Sequence, residues 1–395
     1  GVVQAAMDYK NTAKLDDGIT RKLFTGQIKS SATRLGVFAA CPYRYFAEYI
    51  LELKEREEFK LKPLDLGIFY HSVLDCVLKE LNNTKKDFAT ICDEELLTIL
   101  WEQITRVISE SAFISNFKRH SAHNSFIIKC AGEVLEDCVL AISQMVRAGQ
   151  FRPSESEVWF GKAGEGIGDY KLAIENGRIL SLRGKIDRID VARINGKQAA
   201  LVFDYKSKGK SFDWPKFRHG LDMQLVIYLL AVRNSKKYDD IAGAFYMPVD
   251  GGMEKAYPDE LDARKDSFNH KAKGIFNGEY FDRIDSNVSG WSKYYNLFSS
   301  EKNGAYGHYL TSGALKPKDF EKVLRLGEEN IIRIGEQIAS GKIEITPYKL
   351  GDETACSLCK YQSVCRFDWQ INDYNPLTGG GKGAVVEVKP EGDNG

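Results

Sequence analysis

Residues 184–207 read GKIDRIDVARINGKQAALVFDYKS, two β-prone runs joined by Asn195-Gly196. Asn-Gly between such runs signals a two-residue hairpin turn, because both turn positions need a positive φ. With that turn, residues facing one another across the strands have numbers summing to 391, so Asp187 falls opposite Asp204. Lys206 shares their face, while Tyr205 points the other way. Two like charges facing each other across a sheet are destabilising, and a divalent cation is the natural compensation. Carboxylate oxygens suit Mg²⁺ or Mn²⁺, and a lysine beside such an ion can orient an attacking water and stabilise charge on a scissile phosphate. The competing reading is a solvated face of Asp187, Arg188 and Asp190, with Lys206 paired to Asp204. The apolar run AALVFDYKS favours the functional reading, since an acid and a lysine on a buried strand are costly without partners.

Outward from this hairpin, strand-like alternation extends over residues 157–207, with a further turn dipeptide at Asn176-Gly177. Upstream the period is helical. Ser30 or Ser31 opens a helix that stops near Ala40, Pro42 starts a second, and residues 66–81 and 87–148 carry apolar residues at helical spacing. Downstream, a helix is expected over 222–232, a buried strand at IAGAFYMPV, and an amphipathic helix over 317–340. Residues 250–317, rich in Gly, Asn, Ser and Lys, read as an irregular insertion within a domain spanning 31–375. Residues 1–30 read as a connector, and 376–395 as a disordered tail. The GGGKGA of that tail is no phosphate loop, because no Ser or Thr follows Lys382. The chain opens without Met on a connector-like segment, which reads as a piece of a longer protein.

Lys plus Arg and Asp plus Glu number 55 each, so any surface for nucleic acid must be local rather than a property of the whole chain. The richest local run, KSKGKSFDWPKFRHG, offers Lys208, Lys210, Trp214, Lys216 and Arg218, basic and aromatic residues interleaved as single-stranded nucleic acid requires. A solvated loop is the plainer reading. No apolar run approaches membrane-spanning length and no secretory signal opens the chain, so a cytoplasmic protein with no membrane partner is expected. Of eight cysteines, Cys76, Cys92, Cys130 and Cys138 lie in apolar helical contexts and read as small core residues. Cys356, Cys359 and Cys365 form C-x2-C-x5-C, and a closed four-thiolate site needs a fourth ligand from elsewhere.

G-K-I-D-R-I-D followed by V-F-D-Y-K-S resembles motifs II and III of the PD-(D/E)XK nuclease superfamily, in the branch with RecB-type nuclease domains. Gly67 to His71 is similar to that branch's G-x3-H motif, and Gln224 and Tyr228 to its Q-x3-Y motif. The resemblance implies a restriction-endonuclease-like α/β fold, a central mixed sheet flanked by helices with a helical N-terminal part. It implies Asp187, Asp204, Lys206, Gln224 and Tyr228 as catalytic residues, and His71, Asp187, Asp204 and the Tyr205 carbonyl as metal ligands. Read without the family, His71 is more simply a core histidine, and Gln224 and Tyr228 are packing neighbours one helical turn apart.

In iron–sulfur members of this branch one cysteine precedes the core in a C-P-x-x-[YF]-F-like segment, and Cys41 in CPYRYF fits that place. A [4Fe-4S] cluster on Cys41, Cys356, Cys359 and Cys365 is thus implied as a structural staple. Four thiolates suit zinc equally well, and only the resemblance favours iron. The order of motifs, including ITPYKL, is most similar to the C-terminal nuclease domains of AddB-type helicase–nuclease subunits. That likeness implies a deoxyribonuclease acting on single strands in double-strand break repair and recombination, beside an AddA-like partner subunit. A CRISPR-adaptation exonuclease and a non-catalytic DNA-binding scaffold are the alternatives. The first is usually much shorter, and the intact motifs argue against the second.

Overall fold

The hairpin forms as its turn dictates. In the computed structural model, which describes residues 13–24, 26–54, 63–252, 268–370 and 372–386, Asn195 and Gly196 both take positive φ (52° and 81°). The ladder runs from Ile194 opposite Lys197 to Arg188 opposite Phe203. Its next step is Asp187 against Asp204.

Around this hairpin eleven strands are used below: β1 (Gln27–Ser30), β2 (Arg152–Phe160), β3 (Tyr170–Ala173), β4 (Ile179–Leu182), β5 (Gly184–Ile194), β6 (Lys197–Lys206), β7 (Asp240–Pro248), β8 (Lys273–Asn277), β9 (Gly290–Trp291), β10 (Phe298–Ser299) and β11 (Ala314–Leu315). The main sheet has the order β11-β8-β7-β6-β5-β2, with the β6–β7 and β8–β11 pairs parallel and the β2–β5, β5–β6 and β7–β8 pairs antiparallel. This is a mixed sheet with helices on both faces.

Six helices matter here: α1 (Ala32–Ala40), α2 (Pro63–Asn83), α3 (Asp93–Glu110), α4 (Ala122–Ala148), α5 (Gln224–Ser235) and α6 (Pro317–Ala339). Ser31 caps α1 by accepting from the Arg34 amide, and Pro42 follows its end, so the chain turns at Cys41. Alternation along β6 splits the core in two. Ala200 and Val202 pack with α5 and α6, whereas Leu201, Phe203 and Tyr205 pack with α2, α3 and α4. α5 is buried from Leu225 to Val232, as expected of a helix apolar on every side.

Three stretches differ from expectation. The 250–317 stretch, marked by composition as an irregular insertion, supplies β8 and β11 to the main sheet. Short strands interrupted by turns leave little periodic signal. Its residues 253–267 lie outside the described residues. The expected connector contributes a helix, Asp17–Leu23, and β1, which pairs with β4. The tail expected to be disordered folds back, and its residues 382–386 form a helical turn. Lys382, only 1% exposed, donates to the carbonyls of Tyr309 (2.6 Å), Ser312 (3.2 Å) and Ala314. Three backbone acceptors around one ammonium offset much of its desolvation, which a composition rule cannot foresee. Residues 1–12 and 387–395 lie outside the described residues. No described helix is long and apolar enough to cross a membrane.

Candidate active site

Asp187 and Asp204 are 6% and 2% exposed, side by side where the hairpin strands leave the sheet's middle. Asp187 Oδ2 accepts from the Tyr205 amide at 2.7 Å, which locks the carboxylate against the β6 backbone and brings the Tyr205 peptide beside it. Asp204 Oδ1 accepts from Gln224 Nε2 at 2.7 Å. Asp204 Oδ2 lies 2.6 Å from Lys206 Nζ as an ionic contact, without the alignment of a hydrogen bond. Burial and the Asp187 charge, offset in part by Lys206, push the Asp204 carboxyl up to about 6.

His71 reaches this pair from α2, its Nδ1 3.2 Å from Asp187 Oδ1 and 3.8 Å from Glu157 Oε1. Burial pulls the imidazole pKa down, but the hydrogen bond to Asp187 and the charges of Asp187 and Asp204 outweigh it, and the net shift is upward. Glu157 is the residue that sequence reasoning missed. Its neighbours Ser156 and Val158 pair with Arg188 and Ile186, so it sits opposite Asp187 on the outer side of β5. It takes a left-handed φ of 53°, an uncommon strain for a glutamate in a strand. Ligand atoms of His71, Glu157 and Asp187 all lie within 4.8 Å of one another. Asp204 stands outside that group, engaged by Lys206 and Gln224. Imidazole plus carboxylates, with a buried Asp204 oxygen lacking a hydrogen bond, is a donor set that fits Mg²⁺ or Mn²⁺.

Gln224, the first residue of α5, links the catalytic candidates. Its Oε1 accepts from Lys206 Nζ at 2.9 Å, and its Nε2 donates to Asp204 and, at 2.9 Å, to the Tyr228 hydroxyl. One amide thereby fixes the distance between the acid and the lysine. Tyr228, one turn along α5 and edge-on to Phe160, keeps Gln224 in place.

On the opposite face of the hairpin a buried cation supports the site. Arg188, 2% exposed, donates to Asp190 Oδ1 (2.8 Å) and Oδ2 (3.2 Å) and to the Tyr205 hydroxyl (3.0 Å), with its guanidinium 4.0 Å from the centre of the Phe203 ring. The solvated charged face considered for these residues is not what forms. Arg188→Ala should cost about 3–5 kcal/mol in denaturant unfolding, because it strands Asp190 without a cation. Replacing both partners by apolar residues (Arg188→Met with Asp190→Leu) should cost much less, and equal losses would contradict this account.

The basic run after β6 is largely committed within the fold. Lys210 contacts Asp222 (2.9 Å), Lys216 contacts Glu353 (2.7 Å), and Trp214 packs edge-on against Phe212. Lys208 and Arg218 are exposed.

Cys41 lies in the neighbourhood of Cys356, Cys359 and Cys365, but among the described residues their sulfurs form no group within metal-ligand reach of one another. Ala40 and Cys41 pack with Tyr348 and Ala355. The Tyr43 amide donates to the Glu344 carbonyl (3.1 Å), and the Tyr361 hydroxyl to the Leu53 carbonyl (3.0 Å). Burial, and then the neighbouring thiols of Cys41, Cys359 and Cys365, push the Cys356 thiol up to about 11. Of the four cysteines expected in the core, Cys138 is buried there, Cys76 and Cys130 are half-buried on the N-terminal helices, and Cys92 is exposed in the turn before α3, where an apolar neighbourhood in sequence does not bring burial.

Residues 29–366 match the family described as the PD-(D/E)XK nuclease superfamily. Among curated proteins, the chain is 34% identical to the B-type subunit of the ATP-dependent helicase/deoxyribonuclease of Thermoanaerobacter sp. (strain X514), over 93% of this chain and 32% of that protein. It is 30% identical to the protein of the same description from Clostridium botulinum (strain Loch Maree / Type A3), over 94% of this chain and 33% of the relative. The Clostridioides difficile (strain 630) protein is 29% identical over 93% and 32%. The chain thus spans about a third of the length of these relatives.

Proposed function

Because the chain belongs to the PD-(D/E)XK nuclease superfamily, we propose that it is a divalent-metal-dependent deoxyribonuclease that cuts single strands exposed by a helicase during double-strand break repair and recombination. The observation that carries this reading is the convergence of His71, Asp187, Asp204 and Lys206, with Gln224 bridging the last two. Relatives described as helicase/deoxyribonuclease subunits support the DNA substrate and a helicase–nuclease partner subunit.

His71, Asp187, Asp204 and the Tyr205 carbonyl would hold Mg²⁺ or Mn²⁺, and Glu157 stands close enough to join them. A divalent ion held by these residues would supply Lewis-acid polarisation of the phosphate and a lowered pKa for water at the site. Lys206 keeps two contacts, to Asp204 and Gln224, and its remaining N–H capacity would serve the attacking water and the scissile phosphate. Gln224 and Tyr228 position that lysine. Cys41, Cys356, Cys359 and Cys365 are proposed to hold a [4Fe-4S] cluster, a reading supported by the packing of the Cys41 turn against the segment that leads into the other three.

The test is incubation of anaerobically purified protein with end-labelled single-stranded DNA. Cleavage with Mg²⁺ or Mn²⁺ and none with a chelator is expected. An intact strand in the presence of either metal, with folded protein, overturns the reading.

A further inference from the structure

Lys271, Lys273 and Trp291, at the sheet edge beside the carboxylates, have no role in the site described so far. Asp204 pairs with Tyr246 across the parallel β6–β7 ladder, and Tyr246 pairs with Lys273 across the antiparallel β7–β8 ladder. Paired residues share a face, so Asp204, Tyr246 and Lys273 form one row, with Lys273 about 10 Å from Asp204 at two strand spacings. Since β8 runs against β7, its first residues lie where β6 ends, at the catalytic edge. Ala272 bridges Tyr295, the chain turns between Ser292 and Leu297, and Trp291 is linked to this edge through Lys271, the residue before that bridge.

The residues beyond the edge are cations and an aromatic ring. Lys271 Nζ lies 5.8 Å from the Trp291 ring, which is 46% exposed and steadied by Phe298 and His308. Lys273 and Lys293 are exposed, and among the described residues none of the three lysines is within ion-pair distance of a carboxylate. Burial and the charge of Lys273 lower the Lys271 pKa, the behaviour of a cation held beside another without an anion between them. Lysines with no ion-pair partner among the described residues, beside a steadied, open tryptophan, are what single-stranded nucleic acid needs: point charges for phosphates and a face for a base.

Resting on the nuclease reading above, we propose that the strand being cut runs from the carboxylate centre along this edge, with phosphates on Lys273 and Lys271 and a base stacked on Trp291. The basic run after β6, with Lys210 and Lys216 already paired, is then secondary in holding the strand.

The test uses an oligothymidylate of about 20 nucleotides, longer than the site sizes common for such surfaces. Trp291→Ala should raise KM about tenfold with kcat unchanged, and Trp291→Phe, which keeps a stacking face and guards against misfolding, should restore most of it. Lys271→Ala with Lys273→Ala should flatten the slope of log KM against log salt by about 1.4, at roughly 0.7 per phosphate contact on a single strand. Unchanged KM and salt slope in a chain that still cuts, or a fall in kcat alone, overturns the track and leaves the nuclease reading intact. If the wild type cuts nothing, that reading falls instead. Fluorescence anisotropy of the same labelled oligonucleotide in chelator then decides the track: weaker binding by Trp291→Ala supports it, and equal binding overturns it.

Discussion

Asp204→Asn is expected to lower cleavage at least about a thousandfold while leaving DNA binding in chelator unchanged, and in the absence of metal to make the protein more stable. Both effects follow from the same carboxylate. It is buried, it faces Asp187, and its Oδ2 has no hydrogen bond, so it serves the chemistry at the expense of the fold. An acid whose pKa rises on folding, here from 3.8 to about 6, binds more protons folded than unfolded between those values. Its cost to stability is therefore absent below about pH 4, grows through pH 6 and is complete above it, on the order of 3 kcal/mol. Lys206, 28% exposed, can turn to solvent when its partner is neutralised. Without metal, the variant should melt a few degrees above wild type at pH 8 and level with it at pH 4. Mg²⁺ should raise the melting temperature of wild type more than that of the variant. A variant that cuts at the wild-type rate, or melts lower at pH 8, contradicts this role.

Cys41→Ser is expected to release the end of the chain from its beginning. Some 315 residues separate Cys41 from Cys356, and closing a loop of that length restricts the unfolded chain by about 5 kcal/mol on loop-entropy grounds. A serine hydroxyl is a poor ligand for iron, so iron in the proposed cluster should fall sharply and the melting temperature by roughly 6 °C. Protease sensitivity should rise between Ile345 and Arg366, where the remaining contacts to the N-terminal segment include the Tyr43–Glu344 and Tyr361–Leu53 hydrogen bonds, the Lys360–Glu48 ion pair and the small cluster of Ala40, Tyr348 and Ala355. The β5–β6 hairpin is held by its own ladder and by the central core, so metal affinity at Asp187 and Asp204 should change little. Wild-type iron content and wild-type proteolysis in this variant would identify a different fourth ligand.

The parts of the site that could be read from sequence are those fixed by local chemistry. Asn195-Gly196 sets a register over the whole β5–β6 ladder, so the facing of Asp187 and Asp204 needs no long-range information. That Gln224 and Tyr228 share one helix face follows from their spacing, whereas their place in the site is implied only by the family resemblance. Glu157 shows where that reasoning stops. Its place opposite Asp187 depends on the β2–β5 register, but the β3–β4 hairpin intervenes and the ladder shifts between Pro153 and Glu155. Its left-handed backbone leaves no signature in SEVWFGK. Arg188 and Asp190 were misleading for a related reason. A charged pair on a strand reads as solvent-facing unless helices are known to cover it, and α2, α3 and α4 are brought there by contacts far apart in sequence. Lys273 lies in a stretch of weak periodicity, and only the order of strands in the sheet sets it in one row with Asp204.

The most direct test of the carboxylate hairpin as a metal centre is Mn²⁺ titration followed by electron paramagnetic resonance, in which bound ion leaves the six-line signal of free Mn²⁺. Wild-type protein should remove Mn²⁺ from that signal with a site that Asp187→Asn and Asp204→Asn each abolish or weaken at least about tenfold, and that Lys271→Ala leaves unchanged. Equal Mn²⁺ uptake by wild type and both carboxylate variants would contradict the account.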